Sequence, residues 1–451
     1  MRALHILGNK NKEIRNKIFL LAWPVILTNL LNTLTVTVDM IMVGRLGPVA
    51  IASVGLGSQV VFISFAVMIA VSAGTVALVA RYIGAKENKM AGYVLQQSLI
   101  LGAILSIPLM LIGLFFSDDI LSLLGAECGV VTTGAVYIKI VFLASIFTFT
   151  NFLSAAALRG AGDTKTPLYV SGIVSVVNIM LNYMLIFGKF GFPALGVKGA
   201  AIGTALSFVV GTVVYIIIFL KGKTVLNLFS NGRIFELETI RRIMRIGTPA
   251  ATEQIAIQIG FIIYVMIVII FGTNALAAHQ IGMRIQSLSF MPGFGFAMAS
   301  AALVGQNLGA KKIKEAEQSG WQSMQLCVMT MVAISAVLFI IARPVACIFV
   351  DDAETVNLSV IWIRILAVGI PAIGIYFTIA GALRGAGDTR WPLYASVIGV
   401  YGCRLPLALL LGFYAGLGLY GVWIAMTVEY YIRSILVVYR FKSGKWKHIK
   451  V

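Results

Sequence analysis

The chain has 451 residues, 59% of them hydrophobic and only 12% charged, with a mean hydropathy of +0.96, which excludes an ordinary soluble domain. Its net charge of +18 would suggest nucleic acid in a soluble protein, but the charge is distributed as a membrane topology demands, so no nucleic-acid partner is expected. Four cysteines show no paired spacing, which leaves at most a disulfide between Cys128 and Cys347, and the lack of a Gly-x-x-x-x-Gly-Lys-Ser/Thr loop excludes ATP as the energy source on this chain.

Apolar runs of about 20 residues, each long enough for a hydrocarbon core of roughly 30 Å, recur throughout. In chain order they predict helices near 16–43, 50–79, 93–116, 132–158, 167–188 and 199–220. A second set follows near 245–271, 275–302, 319–342, 358–383, 392–413 and 418–440. Glycine-rich turns close helices and Pro167 or Pro392 opens the next, as proline and glycine do at helix ends. The expected fold is an all-α integral membrane protein with twelve transmembrane helices in two pseudo-symmetric six-helix bundles. Residues 1–220 form one lobe, 245–451 the other, and the basic segment 221–244 joins them.

An internal repeat supports this division. Ala157-Leu-Arg-Gly-Ala-Gly-Asp-Thr164 returns as Ala382-Leu-Arg-Gly-Ala-Gly-Asp-Thr389, 225 positions later. The same offset pairs Pro24 with Pro249, Gly47 with Gly272, Gly57 with Gly282, and the Gly84-Ala-Lys turn with Gly309-Ala-Lys. Beyond Pro167 and Pro392 the offset becomes 222, pairing Leu195-Gly196 with Leu417-Gly418.

Placing the N-terminus in the cytoplasm puts 26 of the 35 Lys and Arg residues in cytoplasmic segments. Only Arg45, Lys189, Lys198 and Arg343 then lie on the other side, with Asp118-Asp119 and Asp351-Asp352. Both termini are therefore expected inside, in a multi-pass protein of a prokaryotic plasma membrane. Leu20–Val43 is too long and polar-studded for a signal peptide and reads as an uncleaved first helix.

Ionisable groups inside spans are expensive, about 2.5–3.5 kcal/mol on insertion scales, and call for a reason. Asp39 lies five residues before Gly44 at the outer end of the first span. Asn182 lies six residues before Gly188 in the fifth, with Asn178 one turn deeper, and Thr204 lies five residues into the sixth from Gly199. Counting rise per residue, Asp39, Asn182 and Thr204 share a depth on three helices. A carboxylate, two amides and a hydroxyl suit Na⁺ or a proton relay. At an offset of 225 Asp39, Asn178 and Asn182 match Tyr264, Cys403 and Leu407, and at 222 Thr204 matches Met426, so the second half lacks the set. It carries instead Glu253, Arg284, Arg404 and Glu429, placed near mid-membrane by residue count, where two acids and two bases could neutralise one another. No metal-ligand spacing and no nucleophile–base pair at one depth is found, so an enzyme is not expected.

These residues resemble the multidrug and toxic compound extrusion (MATE) family, over essentially the whole chain. The resemblance rests on the two Leu-Arg-Gly-Ala-Gly-Asp-Thr loops, on Asp39-x-x-x-Val-Gly-Arg-Leu-Gly, and on Asn178-x-x-Leu-Asn-Tyr-x-Leu-Ile-Phe-Gly188. The acid in a proline-containing first helix looks most like the prokaryotic DinF-type branch. The resemblance implies a secondary antiporter that exports amphipathic, cationic organic compounds in exchange for H⁺ or Na⁺, with no other cofactor. It places the coupling ion at Asp39, Asn178, Asn182 and Thr204. Several relatives carry Asp where this chain has Asn182, and losing that anionic ligand favours protons. Pro24 takes the position of the family's helix bend, while Asn32 and Asn151 match first-lobe cavity positions. Glu253, Tyr264 and Arg284 are assigned to substrate in the second lobe. The expected partners are small organic substrates and membrane lipid, with the chain a monomer. A lipid-linked oligosaccharide flippase of the same plan is the alternative, disfavoured by the acidic and neutral first-lobe set.

Overall fold

The computed structural model describes residues 2–228 and 235–449, and of residues 2–10 and 63 the backbone only. The described chain is helical, without strands. Its helices are α1 (Arg2–Gly44), α2 (Pro48–Gly84), α3 (Asn88–Phe115), α4 (Ser117–Leu123), α5 (Cys128–Leu143), α6 (Ser145–Gly160), α7 (Lys165–Phe187) and α8 (Val197–Leu220). There follow α9 (Leu237–Ile269), α10 (Thr273–Gly309), α11 (Ile313–Ile340), α12 (Ala342–Cys347), α13 (Ala353–Gly385), α14 (Arg390–Val397), α15 (Leu405–Leu409) and α16 (Gly418–Lys442). Eleven segments are long and apolar enough to cross a membrane, and α5 with α6, bent by 53° at their junction, makes a twelfth. The short helices α4 and α12 begin at repeat-equivalent positions, Ser117 and Ala342.

The repeated motif is a helix terminator. After α6, Gly162 N donates to Arg159 O and Asp163 N to Leu158 O; after α13, Gly387 N donates to Arg384 O and Asp388 N to Leu383 O. Gly162 and Gly387 stand at φ 86° and 87°, the left-handed conformation that glycine adopts without steric cost and that closes a helix by capping its last carbonyls. Asp163 then accepts from Thr166 N, whereas Asp388 accepts from Arg440 Nε at 2.7 Å. One sequence, two ligands: the turn is shared and the aspartate's use is not. The second repeated turn is stranger, since Lys86 and Lys311 hold the same left-handed conformation (φ 63° and 61°) without being glycine.

Between helices the bilayer supplies little hydrophobic drive, so close packing must hold the spans together. A Cβ on Gly160 would lie 2.9 Å from Val76 O, and one on the equivalent Gly385 would overlap Ala301 O, so α2/α6 and α10/α13 are backbone-to-backbone crossings. Gly57 likewise faces Tyr137, and Gly282 faces Trp362, at equivalent positions.

The chain forms two compact units: Leu27–Gly247, and Met1–Ile26 together with Thr248–Val451. The boundary does not fall in the 221–244 segment. It falls within α1, beside Pro24, and within α9, beside Pro249, both of which lie inside continuous helices. The segment expected as a connecting loop already enters α9 at Leu237 and is anchored to the first-named unit, in which Glu236 N donates to Gln97 and Arg242 to Tyr82 Oη at 2.9 Å. The part at 229–234 lies outside the described residues. In the other unit, Trp362 and Trp423 stack at 5.3 Å in a core that also takes in Ile18 and Ala22 of α1.

Candidate functional site

Within the unit Leu27–Gly247, α1, α7 and α8 bring the four expected ion residues together. Asn182 Nδ2 donates to Asp39 Oδ1 at 2.7 Å and lies 3.3 Å from Asn178 Oδ1. Asn178 is 3.3 Å from Thr204 Oγ1. With its amide turned over, Asn178 also donates to both carboxylate oxygens of Asp39, at 2.9 and 3.2 Å, and its oxygen accepts from Thr204; this orientation satisfies both ends of the amide. Asp39 is partly exposed, whereas Asn178 and Asn182 are buried. Asn182 Oδ1 has no hydrogen-bond partner among the described residues and is lodged against Gly203, where any Cβ would overlap it.

The chemistry is that of one carboxylate, two amides and a hydroxyl. Among the described residues no three of His, Cys, Asp and Glu gather anywhere, so nothing resembles a divalent metal centre. A single carboxylate with neutral oxygens suits a proton or a monovalent cation.

The remaining first-half expectations divide. Asn32 is exposed on α1. Asn151 is pinned instead, its Nδ2 donating to Phe147 O, Phe208 O and Thr212 Oγ1, all at 2.8 Å, so it joins α6 to α8 and has no amide hydrogen left for a ligand.

In the second half the expected quartet is corrected. Glu253 pairs with Arg384, whose Nη2 lies 2.8 Å from each carboxylate oxygen, and it also accepts from Tyr376 and from Ser396 at 3.0 Å. Because Arg384 lies in the last turn of α13, this pair lies near that end of the span and not at mid-membrane. Glu429 is held by Arg404 at 2.6 Å and by Arg433 at 3.2 Å, and Arg433 also donates to Ser396 at 2.9 Å. Arg433 lies 3.8 Å over the Tyr376 ring. The network is therefore two carboxylates and three arginines, with the third charge set against aromatic faces. Arg284 takes no part in it; the side chain is exposed and has no ion pair among the described residues. Tyr264 is corrected too: it is wholly buried, its hydroxyl donates to Val422 O at 2.9 Å, and it packs in the core instead of lining a binding surface.

Sequence reasoning missed Arg384 and Tyr376. Arg384 sat in the repeated motif and read as part of a cytoplasmic turn, and nothing about Tyr376 set it apart from other aromatic residues in a span. A signal did exist for the arginine, since a motif arginine within one turn of a helix end can still reach into the bundle.

The eleventh span contains π-helical turns at Ile398–Arg404 and Leu410–Tyr414, and these alter the repeat register. Leu195 N donates to Leu185 O at 2.8 Å, and Leu417 N donates to Leu411 O at 3.2 Å. A Cβ on Gly199 would meet Leu185 O, and one on Gly421 would meet Leu411 O. Leu185 therefore matches Leu411, an offset of 226 (411 − 185), one more than at the start of the span. Past the first π turn the counterparts of Asn178 and Asn182 are Arg404 and Ala408, not Cys403 and Leu407. Arg404 lies 5.5 Å over the ring of Tyr264, the counterpart of Asp39. The second half holds a fixed guanidinium where the first holds its polar set.

The comparisons with known proteins agree with this architecture. The MatE family model matches residues 24–184 and again 249–410, two copies whose starts are separated by the repeat offset. A probable multidrug resistance protein NorM from Thermotoga maritima is 33% identical over 441 residues, covering 96% of this chain and 94% of its own. The probable multidrug resistance protein YoeA of Bacillus subtilis is 28% identical, covering 94% and 92%. Among solved structures, a MATE transporter in its bent conformation superposes with a TM-score of 0.89 at 25% identity, covering 96% and 98%. The same name in a straight conformation gives 0.88 at 26%, covering 96% and 97%.

Proposed function

The chain belongs to the MATE family of multidrug efflux transporters, and from that premise we propose that it is a cation-coupled antiporter whose coupling ion is a proton held at Asp39. It is a multi-pass membrane transporter, not an enzyme. The observation that carries the proposal is the closed set of contacts among Asp39, Asn178, Asn182 and Thr204, drawn from three spans of one unit. A carboxylate among neutral amides and a hydroxyl changes the net charge of its surroundings by one when it binds a proton. The partners that favour the carboxylate are donors: Asn182 Nδ2 and, with its amide turned over, Asn178. Protonation weakens those bonds and frees α1 from α7, so ion binding and the position of α1 are linked. Pro24, which lacks the amide hydrogen of a continuous helix, is the point at which α1 can bend in response. Alternating exposure of the binding residues to the two sides of a bacterial inner membrane, with both termini in the cytoplasm, completes the cycle.

The flippase reading is weaker. Recognition of a diphosphate calls for several free cationic groups, and Arg384, Arg404 and Arg433 are bound to carboxylates.

The test is efflux of a fluorescent organic cation from proteoliposomes, under a pH gradient and separately under a Na⁺ gradient, for the wild type and Asp39→Asn. Efflux driven by the pH gradient and abolished in the variant is expected. A Na⁺-driven wild type would replace the proton by Na⁺. An Asp39→Asn variant that couples normally would remove Asp39 from the mechanism.

A further inference from the structure

We propose that Arg343 and Arg364 form a binding site for the phosphate of an anionic membrane phospholipid, a site that the first half of the chain does not have. It lies apart from the residues assigned to transport and stands whatever the coupling ion.

The two halves are built alike at this point. Helices α4 and α5 begin at Ser117 and Cys128, and α12 and α13 begin at Ala342 and Ala353, each 225 positions later. Leu121 of α4 shares a core cluster with Ala135 and Ile138 of α5, and their counterparts Ala346, Val360 and Ile363 share one in the second half. An apolar collar is repeated too. Phe115, Phe116 and Leu123 are exposed, and so are Ile340, Ile341 and Ile348 at the same positions. In a membrane protein such a collar meets acyl chains, so both helix pairs sit against lipid at equivalent places.

The charge is not repeated. Asp118 and Lys139 form an ion pair at 2.5 Å, and the same two positions of the second half hold Arg343 and Arg364. Backbone positions that bring an acid to a base in one half therefore bring two guanidiniums together in the other. Both arginines are exposed, and among the described residues neither has a hydrogen bond or an ion pair; Arg364 lies 5.5 Å from the centre of the exposed Phe339 ring. The acids nearby in sequence do not compensate them. Asp352 accepts from Thr355 and Glu354 from Asn274, and Asp351 makes no ion pair among the described residues.

A lone arginine near a bilayer surface snorkels to whichever headgroup is at hand. Two at one place repel each other and have one need in common, an anion between them. Guanidinium forks match phosphate oxygens, and a headgroup with its own ammonium already neutralises its phosphate, so a phospholipid without one is favoured. The collar around the pair selects the phosphate of a lipid over phosphate from solution.

The test reads lipid composition beside Arg343. Cys347, four residues further on at the end of α12, is exposed, and Cys128→Ser leaves it the one exposed cysteine among the described residues. A bimane on Cys347 is quenched in nanodiscs by nitroxide-labelled phosphatidylglycerol or phosphatidylcholine. In the otherwise unaltered protein, quenching should need an about fivefold lower fraction of phosphatidylglycerol than of phosphatidylcholine. Arg343→Asp, which gives Arg364 the acid that Lys139 has in Asp118, should bring the two lipids level. Arg364→Gln should cut the preference to less than about twofold. An unchanged melting midpoint shows that each variant is folded. The proposal is overturned if the two lipids quench the unaltered protein equally, or if the preference survives both substitutions. It is overturned as well if inorganic phosphate, at constant ionic strength, removes the preference, because the site then takes phosphate from solution.

Discussion

Gly203 sets the position of Asn182 by having no side chain. The amide oxygen of Asn182 occupies the space a Cβ would need, while its nitrogen reaches Asp39. Gly203→Ala should therefore push the amide away from α8 and cut coupled efflux at least tenfold, while Gly172→Ala, with nothing within 4 Å of the new methyl, should transport as wild type. Equal transport by the two variants would show that Asn182 is not held at this point. The Asp39 set was legible in the sequence because polar residues in apolar spans are few and their depth can be counted from helix ends. The second-half network was only partly legible. Depth counting places a residue along a helix but does not say which way it points, so it could not separate Arg284, which faces outward, from Arg404, which is buried. Tyr264 was read through its counterpart Asp39, but burial and the bond to Val422 decided its role.

The π turns act at the scale of an element. Each adds a residue to its turn, so the eleventh span (Arg390–Tyr414) has 25 residues where α7 has 23. The added residue delivers Arg404 to Glu429, and neither the changed register nor the pairing could be read from a constant repeat offset. The Arg404–Glu429–Arg433 cluster is buried on all sides, so removing one partner leaves charge without compensation. Glu429→Ala should destabilise the second-half unit by about 3–5 kcal/mol, read as a marked fall of the melting midpoint in detergent. Replacing Arg404 and Glu429 together by leucine should cost less than Glu429→Ala alone. A double variant at least as unstable as the single one would mean that the pair has a role beyond mutual neutralisation.

At the scale of the molecule, orientation can be read from native thiols. All four cysteines are free; Cys128 and Cys347 are exposed, at the start of α5 and the end of α12, while Cys327 and Cys403 are buried. With both termini inside, a membrane-impermeant maleimide added to intact cells should label Cys128 and Cys347 and spare the other two. Labelling of Cys128 and Cys347 only after permeabilisation would reverse the topology. The number of spans and the duplication were legible because hydropathy and repetition are properties of the chain. The compact units were not, because their edges fall inside α1 and α9, where no turn signal marks them.

Those edges bear on synthesis. The unit that contains Thr248–Val451 also contains residues 1–26, so its first piece leaves the ribosome more than two hundred residues before the rest exists. The other unit is completed only when the chain has been made as far as Gly247, past the middle of the molecule. Domains usually fold as they emerge, N-terminal first; here the start of the chain must wait, inserted but without its own partners, until the second repeat is translated. The two halves of the gene encode repeats, but neither half encodes a complete folding unit.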